Sequence, residues 1–181
     1  VSKAFAVNGA GQVTQATDEE GKVVQYTYYS SGAKNGLLHE VKVDPLGLNL
    51  VTTYDYDSAG NRTTVTDPLS HVTTTTWDAV RRVIEVEDAL GVETQYHLDG
   101  NGQVTSIDVE KDGVAISGNG WLTTSYTYTV HGDVATMTEE IDSTHTRTTS
   151  YSYDSNQNRT RVTKPEGNEE AWTYDARNLV L

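Results

Sequence analysis

The feature that most limits what this chain can become is an aromatic–acid pair that returns every 21 residues. Tyr56-Asp57, Trp77-Asp78 and Leu98-Asp99 follow one another at that step, and Tyr153-Asp154 leads to Tyr174-Asp175. Near the start, Val7-Asn8 leads to Tyr28-Tyr29 at the same distance. A fixed period of this length marks stacked supersecondary units, each packing on its neighbours. Three intervals are longer: Tyr28 to Tyr56 spans 28, Leu98 to Tyr128 spans 30 and Tyr128 to Tyr153 spans 25. Each excess predicts a lengthened loop or an extra hairpin. The clearest is an insertion near residues 110–122, where Asp112-Gly113 and Gly118-Asn119-Gly120 are tight-turn signals.

Within a unit, Tyr54-Asp55-Tyr56, Ser125-Tyr126-Thr127-Tyr128 and Ser150-Tyr151-Ser152-Tyr153 put rings at i and i+2, the spacing that places both on one strand face. The acid that follows opens a turn, as in Asp57-Ser58-Ala59-Gly60-Asn61, where Asp can bond backbone amides and Gly60 can take positive φ. A second strand follows, Arg62 to Thr66. Then Asp67-Pro68-Leu69-Ser70 turns the chain again, with Pro68 presetting φ at the second turn position. Asp44-Pro45-Leu46-Gly47 and Asp88-Ala89-Leu90-Gly91 are expected to do the same. No segment carries a helical apolar stripe between caps. The fold class expected is all-β: tandem antiparallel β-hairpin repeats of about 21 residues forming a curved β-sheet ribbon. Residues 1–181 are expected to form a single array of about seven to eight repeats, running on past both ends.

Composition narrows the function. A net charge of −13, with Arg81-Arg82 as the one adjacent basic pair, argues against nucleic-acid binding. Eleven Tyr and three Trp against one Phe favour rings that keep a polar rim, suited to thin, half-wet sheets. The regular aromatic and Thr spacing argues against disorder. No run approaches the roughly 18 apolar residues of a membrane-spanning helix. The absence of Cys removes disulfides, zinc–thiolate sites and thiol nucleophiles, without fixing the compartment. The chain starts at Val1 with no signal-peptide pattern, so any targeting signal is expected elsewhere.

The unit resembles that of the YD-repeat (Rhs) family. The best copy runs from Tyr56-Asp57-Ser58-Ala59-Gly60-Asn61-Arg62-Thr63 to Asp67-Pro68-Leu69, and copies at Tyr153-Asp154 and Tyr174-Asp175 are similar. Departures include Ser70 for Gly, Leu98 for Tyr, Tyr29 and Thr129 for Asp, and Gln157 for Gly. The resemblance implies a β-ribbon wound into a hollow shell around a toxin, as in Rhs and toxin-complex proteins, or the teneurin version at animal cell surfaces. Some bacterial members were described as wall-associated or sugar-binding.

The acidic and His positions fit turn chemistry better than catalysis or metal binding. Asp154-Ser155-Asn156-Gln157-Asn158 opens like a calcium loop, but Arg159 stands where Gly belongs and Pro165 where the bidentate Glu belongs. The five His show no metal-ligand spacing, and no nucleophile elbow, phosphate loop or dinucleotide fingerprint is present. Asp44-Pro45-Leu46-Gly47-Leu48 is superficially similar to the self-cleavage segment of Rhs shells, yet it sits among ordinary repeats. Asn61-Arg62-Thr63 and Asn158-Arg159-Thr160 match the glycosylation triplet at equivalent turn positions. The expectation is therefore a non-catalytic structural segment of a secreted or surface protein, more in keeping with a bacterial source. It takes no cofactor or metal, and its partners are further repeats, with an enclosed toxin domain or surface glycans in addition. The alternative is a carbohydrate-binding or adhesive module, for which Trp121, beside the insertion, is the best contact candidate.

Overall fold

A computed structural model describes residues 3–110, 120–142 and 144–181. The chain divides into two compact units, Val1–Gly91 and Val92–Leu181. The first holds β1 (Ala4–Val7), β2 (Val13–Thr17), β3 (Val23–Tyr28), β4 (Leu38–Val43), β5 (Leu50–Tyr56), β6 (Arg62–Thr66), β7 (Val72–Trp77) and β8 (Val83–Glu87). The second holds β9 (Glu93–Leu98), β10 (Val104–Glu110), β11 (Trp121–Tyr128), β12 (Val134–Glu140), β13 (Thr146–Tyr153), β14 (Arg159–Thr163) and β15 (Glu169–Ala171). Within each unit, every strand pairs antiparallel with the next in sequence. The fold is all-β as expected, and the one helical feature among the described residues is a 3-10 turn, Gly32–Lys34.

The repeat has a specific mechanical form. Each pairing that follows an aromatic–acid turn slips by one residue at the turn end. Tyr56 faces Arg62 while Asp55 faces Thr64, which leaves Thr63 as an extra residue on the outgoing strand. The same slip leaves Thr14, His39, Ile84, Thr105, Ala135 and Thr160 as the extra residue elsewhere. These β-bulges raise the local right-handed twist and disturb the ladder. No such slip occurs in the pairings across the opposite turns.

The longer intervals have different origins. Between Tyr28 and Tyr56, the five-residue turn becomes the Tyr29–Leu37 loop, closed by Tyr29 N–H to Leu37 O and Gly36 N–H to Tyr29 O. Between Tyr128 and Tyr153, the expected longer loop is instead longer strands. β12 and β13 have seven and eight residues, and beyond their ends Ile141 N–H bonds His145 O at 2.9 Å. The expected hairpin within 111–119 lies outside the described residues.

The interior is thin. Among the described hydrophobic residues only Val162 is buried, and Phe5, Leu46, Leu69 and Leu90 are well exposed. The accessible surface is 11699 Å². A compact 19.8 kDa monomer exposes about 8,600 Å² by the usual size scaling. These sheets leave uncovered what a second layer normally covers.

Candidate functional site

The acids of the repeat act on the backbone. Asp57 Oδ1 accepts the Ala59 and Asn61 amides at 2.8 and 2.9 Å, and Asn61 Nδ2 donates to Oδ2 at 2.8 Å. Gly60 closes the turn at φ 84. Asp67, Asp78, Asp154 and Asp175 repeat the two-amide pattern. The aromatic–acid turn and the Asp67-Pro68 turn are therefore the same device at opposite ends of the hairpin. Where Gly is missing, Ser70, Arg81, Gln157 and Asn178 take the left-handed conformation themselves, at φ 61 to 67. Hydrogen bonds hold these carboxyls below their ordinary range: chiefly from Asn61 for Asp57, from the His71 amide for Asp67, from the Arg82 amide for Asp78, from Asn158 for Asp154 and from the Leu179 amide for Asp175. The calcium-like opening at Asp154 has the same explanation, since its carboxylate is occupied by Asn156 and Asn158. Among the described residues no group of three or more His, Asp or Glu could hold a metal.

Asp44-Pro45-Leu46-Gly47 departs from the expected turn. Asp44 and Asn49 both carry positive φ, and the loop from Asp44 to Asn49 is closed by Asn49 N–H to Asp44 O at 2.8 Å. Asp44 Oδ2 accepts the Leu48 amide at 2.9 Å, and a Cβ on Gly47 would lie 2.2 Å from that oxygen. The glycine is needed here for close approach, although its φ is not positive.

The aromatic partners have an equally local role. Tyr28 donates its hydroxyl to Val13 O, Tyr128 to Val104 O, Tyr153 to Val134 O and Tyr174 to Arg159 O, at 2.6 to 2.9 Å. Trp77 Nε1 donates to Arg62 O at 2.9 Å. Each acceptor is the carbonyl just before a bulge residue, on the adjacent preceding strand. Tyr and Trp can close this bond and Phe cannot, which accounts for the aromatic skew in physical terms. Tyr56 makes no such bond. Its ring meets Tyr29 edge-on at 6.3 Å, and Tyr29 donates to Tyr54 O and to Asp55 Oδ1 at 3.1 and 2.9 Å. Lys34 also reaches Asp55, and the Asp55 carboxyl is lowered to about 2, first by Lys34, then by the Tyr56 amide and the Tyr29 hydroxyl. His39, the bulge residue of β4, stacks on Tyr29 at 4.4 Å. Sequence reasoning passed over this cluster; its one trace was the 28-residue interval.

Successive aromatic–acid turns are also tied to each other. Gln12 Nε2 donates to Gly36 O at 2.8 Å, Gln103 Nε2 to Gly132 O at 3.1 Å, and Asn158 Nδ2 to Asn178 Oδ1 at 2.9 Å.

Alternation along the strands gives each unit two unlike faces. In the second unit Tyr96, Ile107, Leu122, Tyr126, Met137, Tyr151 and Val162 share one face by register. The other carries His97, Ser106, Asp108, Ser125, Thr138 and Thr148. Trp121, the contact candidate beside the insertion, opens β11 opposite Glu110, inside the ladder. It alternates with Thr123 and Ser125, and so belongs to the hydroxyl face. A groove of about 250 Å³ on that face is lined by Thr123, Ser125, Thr138, Glu140, Asp142 and Thr146, among others. No helix among the described residues is long and apolar enough to cross a membrane; strand-built spans are a separate matter.

Comparison with solved structures finds the same fold in far larger assemblies. A TcdB2–TccC3–Cdc42 crystal structure and a Photorhabdus luminescens Tc holotoxin pore each give a TM-score of 0.77 at 16% identity, over 99% of this chain. A TcdB2–TccC3–TEV structure gives 0.78. In each case the match spans only 10% of the larger chain. Comparison with curated protein sequences finds no match. Residues 34–72 and 56–92 match the RHS Repeat family, in two windows offset by about one repeat. Residues 34–92 thus carry RHS repeats, and the same bulged hairpin recurs outside the matched windows.

Proposed function

We propose that this chain is a non-catalytic wall segment of a larger YD-repeat protein, secreted or surface-exposed, whose sheet encloses or displays another protein domain. The observation that carries the reading is a near-coreless sheet, with Val162 alone buried among the described hydrophobic residues, that matches a tenth of a Tc-complex chain along 99% of its own length. A wall needs strands that pair sideways and turns that hold themselves, and the repeat supplies both. Its end strands should then seek further repeats. Every residue of β1 is exposed, with Phe5 at 68% and Val7 at 59%, the profile of an edge awaiting another strand.

Sedimentation of the 181-residue chain tests this. Concentration-dependent association is expected, weakened by Phe5→Lys with Val7→Lys, which blunt the β1 edge while leaving circular dichroism unchanged. A monomer at all concentrations, or association indifferent to the β1 charges, overturns the reading.

A further inference from the structure

We propose that Asn8 is a site of self-catalysed deamidation, where the turn that holds its carboxamide also speeds conversion to aspartate and isoaspartate. This goes beyond the wall reading and depends on the single turn between β1 and β2.

Asn8 stands where other turns of this kind carry Asp57, Asp78, Asp99, Asp154 and Asp175, and it copies their geometry. Asn8 Oδ1 accepts the Ala10 and Gln12 amides, each at 3.0 Å, as Asp57 Oδ1 accepts those of Ala59 and Asn61. A carboxamide, unlike a carboxylate, carries a leaving group, and the next residue here is Gly9. The Gly9 nitrogen attacks Asn8 Cγ and closes a five-membered ring, its proton passing to water. The Cγ–Nδ2 bond breaks, and Nδ2 departs as ammonia after taking a proton from water. Water then opens either C–N bond of the ring, leaving aspartate, or isoaspartate with the main chain running through Cβ and Cγ. Attack at Cγ places negative charge on Oδ1, where two backbone N–H donors already point. The turn thus acts as an oxyanion hole for its own first residue.

Asn35, Asn101 and Asn119 also precede glycines, the last outside the described residues. Gly36 N–H donates to Tyr29 O at 2.8 Å and Gly102 N–H to Asp99 O at 3.1 Å, so both nucleophiles are engaged. The Asn35 and Asn101 carboxamides have no hydrogen-bond partner among the described residues, so neither is polarised for attack. The Gly9 N–H, by contrast, has no partner among the described residues. Gly9 is exposed, and no atom lies within 4 Å of where its Cβ would stand, so its peptide plane is free to turn toward the Asn8 carboxamide. The two products differ in effect. Aspartate is the repeat's own residue: Asp99 holds the Gln103 amide while Gln103 Nε2 reaches Gly132 O, as Gln12 Nε2 reaches Gly36 O. Isoaspartate lengthens the main chain and displaces the Asn8 carbonyl that accepts the Gly11 amide at 2.9 Å. It undoes the turn between β1 and β2.

The test incubates the chain folded and, in parallel, unfolded in urea. Deamidation at Asn8, Asn35 and Asn101 is followed by peptide mass spectrometry with enzymatic isoaspartate methylation. In the folded chain Asn8 is expected to convert about fivefold faster than the other two, the rate effect of one hydrogen bond withheld from the nucleophile. In urea the three rates should converge, with Asn8 slowing and Asn35 and Asn101 quickening. Gly9→Ala should slow Asn8 alone. Exchange of the Gly11 amide, read by NMR, should quicken in the isoaspartate fraction and stay unchanged in Asn8→Asp. Equal folded rates at Asn8, Asn35 and Asn101 overturn the proposal. So does an Asn8 rate that rises on unfolding, because the turn is then a shield and not a catalyst.

Discussion

Removing one hydroxyl from Tyr153 should measurably loosen the sheet, whereas removing the one two residues earlier should not. Tyr153 donates to Val134 O at 2.9 Å, the carbonyl that precedes the bulge residue Ala135. Tyr151 shares its strand and face, and its hydroxyl has no protein partner among the described residues. Tyr→Phe leaves ring volume unchanged, so cavity terms vanish and the difference isolates the hydrogen bond. A net bond contributes about 0.5–1.5 kcal/mol, and a carbonyl left unpaired raises the loss toward the upper end. Val134 is only half-buried, so water recovers part, and we expect Tyr153→Phe to cost about 1 kcal/mol and Tyr151→Phe about 0. In a chain of this size that is about 2–4 °C in Tm. Because repeat arrays need not unfold in one step, the better assay is the urea midpoint at constant slope. The Tyr128→Phe and Tyr126→Phe pair repeats the experiment one hairpin earlier. Burial raises the Tyr153 pKa above its usual value. Its stabilising contribution is thus whole below about pH 10 and lost as pH rises through the raised value, so wild type should lose its advantage over Tyr153→Phe in strong alkali. Equal costs at 151 and 153, or no cost at either, would refute the idea that the motif ring is a bulge cap.

Other outcomes follow from the turns and the Tyr29 cluster. Gln157→Gly should stabilise by about 0.5–1 kcal/mol, since Gln157 sits at φ 65 where Gly is unstrained, and Gly60→Ala, at φ 84, should cost about as much in the same urea assay. Gly47→Ala drives a Cβ into the Asp44 carboxylate and breaks its bond to the Leu48 amide; loss of amide-exchange protection confined to residues 44–49 is expected. The Asp55 carboxyl, lowered to about 2, contributes stability that is complete above about pH 4 and lost as pH falls through 2. Lys34→Met should flatten that acid limb, and an unchanged acid profile would remove the Lys34–Asp55 contact from the account.

The sequence made the strands and turns legible because both depend on local rules. Period-two rings mark a strand, and an acid three residues before a glycine marks a turn, whatever lies nearby. The bulges were hidden because Thr63 or Ala135 as an extra residue is defined only by the strand opposite. The hydroxyl-to-carbonyl bonds were hidden for the same reason: Tyr153 and Val134 are 19 residues apart. Asp44-Pro45-Leu46-Gly47 misled because its composition matches Asp67-Pro68-Leu69, yet its geometry depends on positive φ at Asp44 and Asn49. For Trp121 the sequence gives only a place beside the insertion, and the pairing with Glu110 assigns it to a face.

These local bonds bear on where function can reside. A globular domain hides its backbone defects in a core, but here only Val162 is buried among the described hydrophobic residues. Each repeat must therefore satisfy its own bulge and turn within reach of one side chain, and the Tyr and Asp of the motif do this. A motif residue so occupied has little left to offer a ligand: Asp57 and Asp154 each hold two backbone amides and a neighbouring carboxamide. Residues that neither turn nor bulge employs, such as Thr123 and Ser125 on the hydroxyl face, can then vary without loosening a turn.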